Sequence, residues 1–169
     1  MLKRGWWYLI AGLAITGVPV VTSVAEAAGG AAAATTTVTI NANNPSFTDT
    51  GVDLTLNESF SITATGKAKW TLTSPSTGPN GYRFSQSNGT RTCGYDQYHP
   101  YQVPSFLAPG LNCWSLVGRI GTTGVIFSVG ASLTMPAPYS GELYLAFNDD
   151  YYPNNSGDFV AMITVTSTR

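Results

Sequence analysis

The chain is poor in charge. Asp, Glu, Lys and Arg make up 10% of its 169 residues, against about 25% in ordinary soluble domains. It holds one histidine, His99, and three glutamates, Glu26, Glu58 and Glu142, which excludes a histidine-rich metal enzyme. The eight basic residues are scattered, and two of them, Lys3 and Arg4, sit at the extreme N-terminus. A nucleic-acid binder needs a concentrated basic footprint, so no nucleic-acid partner is expected. Catalytic signatures are missing too. There is no G-x-S-x-G elbow. Gly118–Gly124 is glycine-rich but lacks the phosphate-loop spacing and a following helix, so it reads as a strand end and turn. Asp149 and Asp150 are adjacent, and side chains of neighbours in an extended chain diverge. A glycosidase needs two carboxyls facing each other across roughly 5 to 9 Å. Sustained helical spacing of apolar residues is absent after residue 30.

What is present is an ordinary apolar content of 43% with a net charge of −1, enough to bury a core rather than remain disordered. The length suits one domain. Residues 1–27 read as a secretory signal. Lys3 and Arg4 form the positive n-region, Trp6–Val24 is apolar, and Ala25-Glu26-Ala27 supplies the small-x-small cleavage pattern. The rival reading is an uncleaved membrane anchor, because 19 apolar-rich residues approach the spanning length of about 20. Gly12, Gly17 and Pro19 weaken it. Either way the expectation is a secreted, cell-surface or periplasmic protein. In such an oxidising compartment Cys93 and Cys113 are expected to form a disulfide. The alternative, a nucleophilic cysteine beside His99, lacks a family signature.

Residues 28–37 are rich in Ala, Gly and Thr and read as a linker, leaving 38–169 as the folded domain. There alternation dominates. Val38 and Ile40 open the series. Val52, Leu54 and Leu56 follow, then Phe60, Ile62 and Ala64, then Ala68, Trp70 and Leu72. Leu143, Leu145 and Phe147 point one way while Tyr144 and Ala146 point the other. Phe159, Ala161, Ile163 and Val165 close the chain. Turn formers punctuate these runs, among them Asn41–Pro45, Ser74–Gly81 and Pro136–Gly141. About eight short strands with short turns predict an all-β fold, an antiparallel sandwich or barrel.

Two segments carry chemistry. Asp149–Gly157 lies between two strong strands and is rich in oxygen. Ca²⁺ takes six to eight oxygen ligands, and Asp149, Asn154 and Asn155 can supply carboxylate and amide oxygens. Pro153 and the Tyr151-Tyr152 pair would hold the turn. EF-hand spacing is absent, and a plain polar hairpin is the competing reading. The second segment, His99-Pro100-Tyr101-Gln102, combines hydrogen-bonding groups with a flat aromatic face, a mix that suits a sugar. An ordinary Tyr-rich surface loop is its competing reading.

The chain from about residue 45 to 166 resembles the PA-I type, calcium-dependent galactophilic lectins of bacteria. The residues that carry the resemblance begin with Thr48-Asp49-Thr50-Gly51-Val52-Asp53-Leu54 and Ser61–Gly66. They continue through Gly78-Pro79-Asn80-Gly81 and Ser115–Gly121. The match is strongest at Gly141–Asp149 and Asn154-Asn155-Ser156-Gly157-Asp158-Phe159. The resemblance implies a jelly-roll β-sandwich, similar to galactose-binding domains, with one Ca²⁺ that bridges sugar hydroxyls. It implies Asp149, Asn154 and Asn155 as side-chain calcium ligands, with backbone carbonyls near Trp70 and at Tyr151. It further implies sugar contacts by His99, Gln102, Asp149 and Asn155, and galactose-type glycans as partners. Tyr82–Tyr98 is an insertion relative to that pattern and contains Cys93. Homo-oligomers are common in lectins of this kind, and no catalysis is expected. The alternative function is a structural or adhesion module of the cell envelope that keeps the sandwich and binds no sugar.

Overall fold

The computed structural model describes residues 33–82, 84–86, 89–91 and 106–166. The segments read as signal or anchor, and the positions of Cys93, His99 and Gln102, lie outside these residues. Among the described residues no helix is long and apolar enough to cross a membrane.

Ten strands follow one another in the chain: β1 (Ala33–Asn41), β2 (Thr48–Leu54), β3 (Ser59–Lys69), β4 (Phe84–Gln86), β5 (Gly89–Arg91), β6 (Leu116–Ile120), β7 (Phe127–Ser128), β8 (Ser132–Pro136), β9 (Gly141–Phe147) and β10 (Ser156–Thr166). One four-stranded sheet has the order β1-β10-β3-β8 and the other β2-β9-β6-β7. Every ladder is antiparallel. The short β4-β5 hairpin stands apart as a third sheet. Set it aside, and the chain passes back and forth between the two sheets, with β6 and β7 alone adjacent in both sequence and sheet, in the jelly-roll arrangement expected above.

The inner faces form the core. Ile40, Phe60, Ile62, Phe159, Ala161 and Ile163 come from the first sheet and are almost completely buried. Leu54, Leu116, Ile120, Leu143, Leu145 and Phe147 meet them from the second. Phe147 and Phe159 join the layers, with ring centroids 5.6 Å apart and planes tilted by 52°. Period-two spacing puts each set on one face, since successive side chains in a strand point to opposite sides. A smaller cluster of Ala108, Val117 and Ala146 lies apart from this core, with Leu107 and Leu111 packed against it. Ala146 is therefore buried even though it points away from Leu145.

Three details differ from the sequence expectation. The composition assigned 28–37 to a linker, yet β1 begins at Ala33. An edge strand needs main-chain pairing more than apolar alternation, and Ala33–Thr37 find that pairing against Met162–Thr166. The two runs Phe60–Ala64 and Ala68–Leu72 are not two strands. β3 runs unbroken to Lys69, and Leu72 beyond it is 82% exposed. Leu56, two residues past the end of β2, is exposed as well.

β3 and β10 approach each other very closely near the Lys69–Ser156 end. Gly66 (φ +111°) and Gly157 (φ +86°) occupy left-handed backbone there. A Cβ on Gly66 would run into the Asp158 carbonyl oxygen, and one on Gly157 into that of Lys67. Only glycine fits both the dihedral and the space. Lys69 pairs with Ser156, so the next residues outward, Trp70 and Asn155, lie at the same end of the sandwich.

Candidate functional site

The β9–β10 connection, Asn148–Asn155, forms the floor of this end. A single 3-10 turn, Tyr152–Asn154, with Pro153 inside it, bends the chain. The Asn155 N–H donates to the Tyr152 carbonyl at 3.0 Å. The Tyr152 hydroxyl donates to the Phe147 carbonyl at 3.1 Å, bracing the turn against the end of β9. Burial pushes its pKa up to about 12, so it remains a donor at any physiological pH. Tyr151, by contrast, is 59% exposed.

Asn148 ties a second segment to the same place. It is completely buried. Its amide oxygen accepts from the Ala108 N–H at 2.9 Å, and its amide nitrogen donates to the carbonyls of Ala108 and Asn112. The Leu107 N–H also donates to the Asp149 carbonyl at 3.1 Å. Residues 106–112 are thereby fastened over the loop by satisfied buried polar groups.

Asp149 is the centre. Only 2% of it is exposed, in a chain with few carboxylates. One carboxylate oxygen accepts from the Trp114 indole N–H at 3.0 Å and from the Asp150 N–H at 2.8 Å. The other accepts from the Asn155 side-chain amide at 2.6 Å, and that same nitrogen donates to the Ala42 carbonyl at 2.9 Å. Burial raises the Asp149 pKa to about 6, partly opposed by the hydrogen bonds from Asp150, Asn155 and Trp114. Among the described residues no cationic side chain is named with the groups that shift it, and a buried carboxylate held by N–H dipoles is a costly arrangement.

Two further oxygens make the site more specific. The side-chain oxygens of Asn154 and Asn155 are buried, and neither has a hydrogen-bond partner. Unpartnered buried oxygens are rare and costly. Here they stand in the same short loop as a buried carboxylate. A donor set of one carboxylate and two amide oxygens suits a hard cation such as Ca²⁺, not a thiolate- or imidazole-seeking metal. No group of three or more His, Cys, Asp or Glu occurs among the described residues, so any ion held here would be held by this mixed oxygen set. Asp150 is exposed.

An aromatic wall stands beside the carboxylate. Trp70 stacks on Trp114 with centroids 3.9 Å apart and planes 10° from parallel. Tyr82 meets the Trp70 and Trp114 rings edge-on at 5.2 and 6.1 Å. Trp114 adopts φ +54°, a costly conformation for a bulky residue. Its N–H donates to the Asn148 carbonyl at 2.7 Å, which fixes the backbone from which the indole reaches Asp149. Among the described residues no hydrogen bond ends on the Trp70 carbonyl.

The structure joins Asp149 to Asn155 by a hydrogen bond, with Asn154 the preceding residue of the same loop, and Trp70 stacks on the Trp114 ring whose N–H reaches Asp149. It leaves the Tyr151 side chain in solvent. His99 and Gln102 lie outside the described residues, as does Cys93. Cys113 is buried beside Tyr82, to which its backbone pairs, and it is not a free thiol. Three contributors were not singled out from the sequence: the Trp114 indole, the Ala42 carbonyl and the Asn148 clamp. A Trp between Cys113 and Ser115 gives no local sign that its ring will reach a residue 35 positions later.

No protein-family model matches the chain, and no curated protein matches it. Among solved structures it is similar to the EclA N-terminal domain, described as a PllA-like lectin. The TM-score is 0.52 with 24% sequence identity, over 77% of this chain and 95% of that domain. At that identity the likeness establishes the fold, a β-sandwich shared along nearly the whole length of the other domain.

Proposed function

We propose that the chain is an exported, calcium-dependent carbohydrate-binding protein with a galactose-type preference and no catalytic activity. One observation carries the reading. A buried carboxylate, Asp149, shares a loop with two buried amide oxygens, of Asn154 and Asn155, that have no partner. These three would hold the ion, with backbone carbonyls near Trp70 and at Tyr151 completing the shell. Calcium supplies a positive centre on which vicinal sugar hydroxyls can replace water. Trp114 and the Asn155 amide nitrogen would hold the carboxylate in orientation. His99 and Gln102 would read the substituent beside the diol. The fold shared with a lectin domain and the apolar Trp6–Val24 segment behind Lys3 and Arg4 support carbohydrate binding and export. Pairing of Cys93 with Cys113 belongs to the same proposal, and would anchor the Tyr82–Tyr98 insertion to the segment that carries Trp114.

The test is thermal unfolding of the exported chain with calcium, with calcium plus galactose, and with excess chelator. Calcium should raise Tm, and galactose should raise it further only when calcium is present, as expected for ligands that bind only the folded state. A galactose effect that survives the chelator contradicts the ion-bridged site. A calcium effect with no effect of any monosaccharide favours the envelope-module alternative.

A further inference from the structure

The two sheets have four edges, and three of them are blunted, each by a different device. β7 is two residues long. β8 is five residues long and ends on Pro136. β2 carries Asp49 and Asp53, and its pairing with β9 breaks register between them around Gly51. Short length, proline, charge and bulges are the means by which natural sheets prevent edge-to-edge pairing. β1 has none of these. It is nine residues long, Ala-Ala-Thr-Thr-Thr-Val-Thr-Ile-Asn, without charge or proline. Its register with β10 is unbroken over nine pairs. It ends the order β1-β10-β3-β8. Among the described residues, no hydrogen bond from Ala33–Ile40 goes to anything but β10. An uncharged edge of that length, unpaired on its outer side among the described residues, is a template for another strand.

The geometry points to a second copy of this chain as the occupant: we propose that two β1 strands pair antiparallel across a two-fold axis, joining two four-stranded sheets into one of eight. The sequence of β1 is self-complementary in that arrangement. With the axis at Thr37, Thr37 faces Thr37 and Thr35 faces Thr39 on the exposed side. On the inward side Thr36 faces Val38 and Ala34 faces Ile40. Cross-strand Thr–Thr and β-branched pairs are favourable, and no like charges meet. A two-fold pairing uses both copies' edges and closes, so it yields a dimer and not a filament. A dimer would also present two copies of the loop centred on Asp149, a source of avidity for a multivalent glycan.

The test is sedimentation of the exported chain over a range of concentrations, without calcium or sugar, so its outcome is independent of the lectin reading. The wild type should be a dimer. The double variant Thr35→Lys/Thr37→Lys, at two exposed positions, should raise the dissociation constant about tenfold or more. Thr63→Lys, exposed on β3 of the same sheet but away from the edge, should leave the dimer intact. If the edge lysines impair folding, Thr37→Cys serves instead, and should give a covalent dimer on oxidation while Thr63→Cys does not. A monomeric wild type overturns the proposal. So does a dimer that the edge lysines leave unchanged, or one that Thr63→Lys disrupts instead.

Discussion

Asp149 is the centre of the candidate site because it is a buried carboxylate whose described partners are N–H donors. In the metal-free protein its pKa, about 6, lies above the ordinary carboxylate value of 3.8. Between those values the folded state holds more protons than the unfolded one, so stability contributed by this group falls as pH rises through the window. Calcium should act in the opposite sense, competing with the proton. The calcium-induced rise in Tm is therefore expected to be full near pH 7 and to shrink below about pH 6. Melting curves from pH 4.5 to 7.5, with and without calcium, check this, and a calcium increment that is flat across the range contradicts it. Asp149→Asn keeps the shape and removes the charge. It should abolish the calcium increment and flatten the metal-free pH dependence. Trp114→Phe keeps the ring against Trp70 and deletes the indole N–H that donates to Asp149. It should cost about 1.5–3 kcal/mol in chemical denaturation at pH 7 and weaken calcium binding without abolishing it.

At the scale of elements, the loop depends on how β3 and β10 close on each other behind it. Gly157→Ala places a methyl group against the Lys67 carbonyl at φ +86°. It should destabilise by at least about 1–3 kcal/mol, and calcium binding should weaken with it, since Asn155 precedes it by two residues. A variant with unchanged Tm would show that the close approach of the strands is not needed. The strands themselves were the most legible part of the sequence. Leu143, Leu145 and Phe147, and Phe159, Ala161 and Ile163, lie on inner faces because period two leaves them no other side. Strand ends were less legible. Leu56 and Leu72 continue an alternating pattern but fall beyond the last ladder pair, where no opposing sheet covers them. β1 reached further back than its apolar residues suggested, because pairing alone extends an edge strand. The oxygen-rich loop holding Asp149, Asn154 and Asn155 stood out because these residues cluster in the chain itself. Trp114 and Ala42 did not, because their roles arise only when distant segments meet.

For the whole molecule, the eight-stranded sandwich is the frame and the loop at its end carries the proposed ion site. Phe159 packs on Phe147 between the two layers. Its truncation to Ala should cost about 3–5 kcal/mol and lower Tm equally with and without calcium, because the damage is to the core and not to the proposed ion site. In the proposed function, sugar binding runs through an ion held at Asp149. Calorimetric titration of the protein with galactose, in calcium and then in excess chelator, beside Asp149→Asn in calcium, tests this. Heat of binding is expected for the wild type in calcium and none in the other two conditions. Galactose binding that persists in chelator, or in Asp149→Asn, would contradict it.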